Sequence, residues 1–361
     1  MPLAVQLDLG REMRGGQRQV FYLARHLREG GRFTPVVAAP RGAPLLAEAE
    51  GMGIRTLVLP THREFSPSSF RALAKLLDEG AETHLVNTHC ARSAGLAAIL
   101  RMLARSRLRL IHTRRVSYPP KGWWGCQKYT WGERVVCVSA EIRDAMHACG
   151  VEEADLEVIH SGIDLSRYAP RDPSARRAGG RLTIGFIGAL TRQKGCGTLL
   201  RALAKLSERE DLPAWKAMIV GDGPLRGELE RLAGELGLSE RVSFLGRKDS
   251  RGLLPHFDVL AAPSLDGEGS SGVVKEGWAT RVPVVVSDLP SFLELVEHGK
   301  SGLVSRRGDA DSLAQALARV LREPELAGRL ASKGSERVRE YTDRVMGGKY
   351  LALYDSLYVT P

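Results

Sequence analysis

The 361-residue sequence predicts an α/β protein made of two doubly wound, Rossmann-like domains, each a parallel sheet covered by helices on both faces. Three observations lead to that class. Short apolar runs alternate with amphipathic segments along the whole chain, the pattern of strands buried on both sides. The length exceeds what a single hydrophobic core usually organises. Between Tyr168 and Arg181 the segment APRDPSARRAGG combines proline, glycine and charge without apolar periodicity, which marks a linker.

Taken in order, the first domain (residues 1–170) has strand candidates at 3–9, 34–39, 54–59, 85–89, 108–113, 134–139 and 157–160. The second (181–340) has them at 182–188, 215–221, 242–246, 258–264, 282–287 and 302–305. Amphipathic helices fall between, among them 17–28 and 225–236, because apolar residues recur there at helical spacing. Residues 341–361 contain KYLALYDSLY, a closing helix that can cross back to the first domain. The opening MPLAVQLDLGREM turns polar too soon for a secretory signal and reads as the first strand. No apolar run approaches the ~20 residues of a membrane span. A cytoplasmic protein is expected, with peripheral contact at the inner membrane face. Five cysteines without a CxxC pair are read as reduced thiols, neither disulfide frame nor zinc site.

Net charge is +10, and its distribution matters more than its size. From 83 to 132 there is no acidic residue, while Arg92, Arg101, Arg105, Arg107, Arg109, Arg114, Arg115, Lys121 and Lys128 are present. Tyr118, Trp123, Trp124, Tyr129 and Trp131 are interleaved with them. Cations gain from an anionic membrane surface and tryptophan prefers its interface, so a membrane face or a phosphorylated lipid-linked acceptor fits. Nucleic acid is excluded as the preferred partner, since no recognition motif accompanies the charge. A plain solvated, arginine-rich face is the competing reading.

The most informative stretch is 267–285, GEGSSGVVKEGWATRVPVV, with Glu268 and Glu276 eight positions apart across a glycine-rich turn. Spacing alone decides nothing, since Glu133 and Glu141 are also eight apart around an apolar run. The flanks decide it: an apolar strand ends before Glu268, a helix begins near Val273, and another strand follows. A turn of this kind offers free backbone N–H groups at a helix N-terminus, which favour phosphate. Glu276 could accept from both hydroxyls of a ribose. Asp309 and Asp311 have the Asp-x-Asp spacing of a metal pair, but Asp311 or Ser312 serves better as a helix N-cap, and no metal is expected.

The stretch resembles the signature of the family 4 retaining glycosyltransferases of the GT-B fold, in which two glutamates separated by seven residues precede a helix and a strand of the type PVV. Other motifs follow in the family's order: Gly15 and Gly16, the loop GALTRQKG at 188–195, VGDGP at 220–224, VSFLGR at 242–247, and Glu294 in LPSFLELVEHGKSGLV. The resemblance implies two domains facing each other across a cleft, with a nucleotide diphosphate sugar as donor substrate and no cofactor. It implies that Glu276 holds the ribose, that Gly16, Arg192, Lys194, Gly269, Ser270, Ser271, Gly272 and Val273 bind the donor, and that Arg247 lies where the base is recognised. Glu268 is assigned to the donor sugar as a catalytic residue. Leaving-group charge would be neutralised by side chains and backbone dipoles.

Three departures from the family pattern stand out. Ala189 occupies the position of a phosphate-contacting arginine, which Arg192 would replace. Arg115 stands where a histidine commonly contacts the transferred sugar; either it takes over that catalytic contact, or His89 or His112 lies nearer the sugar. An arginine cannot serve as a base at neutral pH. Ser270 and Ser271 replace Phe-Gly, and Arg281 replaces a small residue. The expected function is transfer of a hexose or heptose to a cell-envelope glycan or glycolipid, such as lipopolysaccharide core. The alternatives are a GT-B nucleotide-sugar epimerase and a non-catalytic homologue that binds nucleotide sugar or glycan.

Overall fold

The computed structural model describes residues 1–79, 83–103, 108–171 and 180–359. Two compact units are present, Met1–Gly162 with Thr342–Pro361, and Ile163–Tyr341. The first holds seven parallel strands: β1 (Leu3–Leu7), β2 (Thr34–Pro40), β3 (Arg55–Leu59), β4 (His84–Thr88), β5 (Leu108–Arg114), β6 (Arg134–Cys137) and β7 (Leu156–Val158). Their order is β3-β2-β1-β4-β5-β6-β7, and Val5 of β1 is in register with Val36 on one side and Val86 on the other. The second unit has β8 (Leu182–Ile187), β9 (Trp215–Val220), β10 (Val242–Gly246), β11 (Val259–Ala262), β12 (Val284–Ser287) and β13 (Leu303–Ser305), ordered β10-β9-β8-β11-β12-β13.

Every expected strand is found, with ends differing by two residues or fewer. The trimmed residues lie mainly at strand exits, where Asp8, Leu9, His89, Pro263 and Ser264 leave the ladder to enter loops. Helix Gly15–Gly30 shows why the pattern was legible: Val20, Leu23, Ala24 and Leu27 form one buried stripe, and Gly31 closes it in the left-handed conformation at φ +64°. In the second unit, Leu199, Leu200 and Leu203 of helix Cys196–Ser207 meet Leu313, Leu317 and Leu321 of helix Ala310–Arg322 on one side of the sheet. Trp278, Phe292 and Tyr341 pack together in a second core cluster.

Three sequence expectations are corrected. The units divide at Gly162 and Ile163 rather than between 168 and 181, because Ile163, Leu165 and Tyr168 pack into the core that holds Trp278. Arg171 is tied to the same unit by an ion pair to Asp258 at 2.7 Å; residues 172–179 of the expected linker lie outside the described residues. Cys126 and Cys149 are joined in a disulfide, contrary to the reduced-thiol reading. Helix Gly122–Gln127 and the end of helix Ala140–Ala148 bring their Cα atoms to 5.1 Å, a proximity that sequence spacing does not reveal. Cys137 and Cys196 are free thiols pushed up to about 12 by burial. Finally, Asp309 rather than Asp311 or Ser312 caps helix Ala310–Arg322, accepting from the Ser312 amide at 2.9 Å, while Asp311 pairs with Lys205.

The basic run also divides. Arg101 and Arg109 pair with Glu133, Lys128 is buried against Glu64, and Arg114 is buried. Arg105 and Arg107 lie outside the described residues. Trp123, Tyr118 and Phe65 are exposed, with Phe65, Trp123 and Trp131 arranged around Trp124.

The closing helix, Asp343–Val359, packs along helix Gly15–Gly30 in the first unit. Tyr350 and Tyr354 are fully buried there with Ala4, Leu23 and Phe33. The Tyr354 hydroxyl accepts from Asn87 Nδ2 at 2.8 Å and from Gln6 Nε2 at 3.2 Å; Thr113 Oγ1 donates to Asn87 Oδ1 at 2.9 Å and meets the Tyr350 hydroxyl at 3.1 Å. Tyr354→Phe keeps the ring but leaves the buried Asn87 and Gln6 amides short of an acceptor. A loss of about 1–3 kcal/mol is expected. Thermal unfolding would show it as a fall of several degrees; an unchanged midpoint would mean that the hydroxyl is dispensable.

Candidate functional site

In an open parallel sheet, ligands collect outside the carboxyl ends of the strands where the strand order reverses. In the second unit that point lies between β8 and β11, and it is where the motif residues gather. The loop after β8 passes so close to its neighbours that only glycine fits at two positions. A Cβ at Gly195 (φ +67°) would lie 1.9 Å from the Pro263 carbonyl oxygen, and one at Gly221 (φ +139°) 1.8 Å from that of Gly188. The Leu265 amide donates to the Gln193 carbonyl at 2.7 Å and clips the loop after β11 to the loop after β8.

That clip sets Lys194 against Glu268. Lys194 Nζ donates to Glu268 Oε1 at 2.6 Å, and Ser264 Oγ donates to the same oxygen at 2.6 Å. Glu268 is buried, and these two donors stand in for the water it has lost. Ser264 is held in turn by Ser287 Oγ, which donates to its carbonyl at 2.6 Å. The lysine expected at phosphate and the glutamate expected at the sugar therefore form one ion pair.

Beyond Glu268 the chain turns through Gly269 and Ser270 to helix Gly272–Ala279, with Ser271 at its N-cap. No acidic residue occupies the first turn, and no side chain caps it. The buried Ser271 hydroxyl has no hydrogen-bond partner among the described residues. Ser270 Oγ accepts from Lys275 Nζ at 2.6 Å, a lysine buried beneath the turn. Gly272 is exposed and Val273 partly so, leaving the amide end open to an anion. Glu276 lies one turn on, where Ser250 Oγ donates to its Oε2 at 3.3 Å. Burial raises its pKa, opposed by hydrogen bonds from Tyr168 and Ser250. An under-solvated carboxylate of this kind gains when ligand hydroxyls reach it.

Arg192 sits in the turn Arg192–Lys194, and Arg247 just after β10; both side chains are exposed. Glu294 closes the short helix Pro290–Leu293, and its carbonyl accepts from Arg337. Sequence reading missed Ser264, Ser250 and Tyr168, because single polar residues outside a motif carry no spacing signal.

Gly16 and Arg115 meet in the first unit, again at the point where strand order reverses, between β1 and β4. A Cβ at Gly16 would be 3.7 Å from Arg115 Cδ. Arg115 donates to His89 Nδ1 at 3.2 Å, so His89 presents its Nε2 proton to Gln6 Oε1 at 2.9 Å. Burial, and then Arg115, lower the His89 pKa well below its ordinary value. His112 points inward: its Nδ1 meets Thr88 Oγ1 at 2.8 Å, and burial lowers it to about 3. A cavity of about 630 Å³ opens here, lined by Gly16, His89 and Arg115 but not His112.

Two family models account for most of the chain: Glycosyltransferase Family 4 matches residues 13–167, and Glycosyl transferases group 1 matches 181–323. The chain belongs to the family 4 glycosyltransferases. Among curated members of this family, it is 31% identical over 234 residues to the lipopolysaccharide core biosynthesis glycosyltransferase LpsD of Rhizobium meliloti, covering 63% of this chain and 65% of that protein. It is 28% identical to the phosphatidyl-myo-inositol mannosyltransferase of Mycobacterium leprae, covering 95% and 93%. The match spans less than two thirds of the length of LpsD, and 56% of a GDP-mannose-dependent mannosyltransferase of Mycobacterium tuberculosis. The crystal structure of Anabaena HepE in complex with UDP superposes with a TM-score of 0.84 at 21% identity, covering 99% of this chain and all of that one. The fold is GT-B.

Glu276→Gln separates the binding role from the structural one. Because the folded-state pKa of Glu276 is raised, ionising it costs stability as pH rises through and above the ordinary carboxylate range near ~4.3. At neutral pH the variant should melt higher than the wild type, and that advantage should vanish below about pH 4, where both are uncharged. Nucleotide affinity should fall about 10- to 100-fold, the equivalent of about 1.5–3 kcal/mol for hydrogen bonds to a charged acceptor. Calorimetric titration at two pH values checks both; unchanged affinity removes Glu276 from the ribose.

Proposed function

We propose that this protein is a retaining glycosyltransferase that moves a hexose or heptose from a nucleotide diphosphate sugar to a cell-envelope glycan or glycolipid, such as lipopolysaccharide core. The observation that carries the reading is the second unit's loop pair, in which Lys194 and Glu268 share a hydrogen bond beside the open end of helix Gly272–Ala279. In this reading Glu276 takes the ribose hydroxyls. The amides of Ser270 to Val273, with Lys194 and Arg192, take the diphosphate and stabilise it as it leaves. Glu268 contacts the donor sugar, and Arg247 lies near the base. The names of LpsD and of the mannosyltransferases support an envelope acceptor, and HepE with UDP supports a uridine donor. Arg115 stands in for the family's histidine at the transferred sugar as a charged contact rather than a base, and the acceptor approaches over the first unit near the donor-binding Gly16.

The deciding experiment is a thermal-shift screen against UDP, GDP, ADP and CMP sugars, followed by product analysis with and without acceptor glycan. One nucleotide should stabilise by about 2.7 kcal/mol at 100 times its dissociation constant. Glu268→Gln should retain donor binding and lose at least tenfold in turnover. Conversion of donor without acceptor would favour an epimerase, and binding without any turnover a non-catalytic homologue.

Peripheral contact with the cytoplasmic membrane face is part of this proposal. Trp123 is 73% and Phe65 62% exposed, and Lys121 lies close to Trp123 in sequence; interfacial aromatics with adjacent cations suit an anionic bilayer. Among the described residues no helix is long and apolar enough to cross one. Co-sedimentation with vesicles containing anionic lipid should fall several-fold in Trp123→Ser/Phe65→Ser while nucleotide binding is unchanged; equal sedimentation would exclude this patch.

A further inference from the structure

The chain enters the second unit at Ile163, and within a few residues it reaches Glu276. Asp164 Oδ1 accepts from the Ser166 amide at 3.1 Å and from Ser166 Oγ at 2.6 Å, which folds the entry segment into the turn Leu165–Arg167. Ile163 and Leu165 pack in the core that holds Trp278, and the Ile163 amide donates to the Tyr341 carbonyl at 2.9 Å. Tyr168 closes the turn. Its amide donates to the Leu165 carbonyl at 3.2 Å, its side chain lies against the same core, and its hydroxyl donates to the Glu276 carboxylate.

An ionised carboxylate offers about four acceptor positions and no donor. At Glu276 the protein takes two of them, through Tyr168 and through Ser250 Oγ at 3.3 Å. Two remain, the number that a vicinal diol fills. Glu276 is partly exposed, so a ligand can reach them. Rotatable bonds separate this carboxylate from the backbone; without donors to pin it, the group samples several orientations and a ligand bears the cost of fixing it. The charges facing it have opposite signs: Asp249, itself tied to Arg251, and Arg167 of the entry segment.

We propose that Tyr168 is a positioning residue for nucleotide recognition: with Ser250 it pins the Glu276 carboxylate so that the two remaining acceptor positions read the 2′- and 3′-hydroxyls of a ribose together. The inference rests on the assignment of Glu276 to the ribose, and adds the residues that make the carboxylate select a cis-diol. Phenylalanine at 168 would keep the ring against the core and leave the carboxylate held by Ser250 alone.

UDP and 2′-deoxy-UDP, or the GDP or ADP pair if the thermal-shift screen selects that base, are titrated by calorimetry into full-length wild type, Tyr168→Phe and Ser250→Ala between about pH 4 and pH 8. Wild type should prefer the ribonucleotide by about tenfold or more, as expected for a hydrogen bond to a charged acceptor. Tyr168→Phe should lose most of that preference through weaker ribonucleotide binding, with 2′-deoxy affinity changed by less than about twofold; Ser250→Ala should lose part of it. The ratio of the two affinities cancels the titration of the phosphates. It should shrink on acidification as Glu276 takes up a proton. Burial raises the Glu276 pKa and the Tyr168 hydrogen bond opposes that, so in Tyr168→Phe the shrinkage should begin at higher pH. A phenylalanine variant with the wild-type preference and pH midpoint overturns the proposal. An equal loss for both nucleotides does so too, since a merely structural tyrosine behaves that way. If wild type binds both nucleotides alike, or neither, the ribose reading itself falls and takes the proposal with it. Should Tyr168→Phe fail to fold, Ser250→Ala carries the test of the pinned carboxylate.

Discussion

The constraint on which the rest depends is the reversal of strand order in each sheet. In both units the first strand lies between the second and the fourth, so the connections on its two sides run to opposite faces, and the loops at its carboxyl end diverge. The space between diverging loops is the one part of such a sheet that its own helices do not fill. Lys194 and Glu268 occupy it in the second unit, Gly16 and Arg115 in the first. The side chains differ, yet the same topology sets where they stand.

What the two places do with charge is also different. In the second unit Glu268 and Lys194 satisfy each other, and the open capacity lies in the amide end of helix Gly272–Ala279 and in Glu276. In the first, Arg115 is satisfied on one side only. Buried polar groups with unused capacity raise the energy of the empty protein, and ligand groups that complete them recover it.

Most of the fold was legible because parallel strands covered on both faces have to be apolar throughout, and runs such as 182–188 or 282–287 admit few other readings. The motif loops were legible for another reason: the backbone crowding at Gly195 and Gly221 forces glycine, which leaves a visible mark. Contacts between residues distant in sequence left none. Gln6, Asn87 and Tyr354 look like unrelated polar residues until the sheet and the closing helix bring them together. Cys126 and Cys149 were likewise separated by a helix and a strand whose packing spacing could not report. The unit boundary was misplaced because Ile163, Leu165 and Tyr168 form too short an apolar series to announce the core they join. At the first unit's site, Arg115 was picked out by its departure from pattern, while its tie through His89 to Gln6 was hidden.

The closing helix gives the first unit an uneven place in time. The second unit is continuous, Ile163–Tyr341, whereas the first takes its last residues from Thr342–Pro361. A ribosome therefore delivers every residue of the second unit before the first has its complete set, although the first was begun earlier. Until Tyr350 and Tyr354 emerge, Ala4, Leu23 and Phe33 lack aromatic cover, and the amides of Gln6 and Asn87 lack their acceptor. The half of the molecule that leads in sequence is thus the last to have its full complement, and the cavity beside Arg115 belongs to that half.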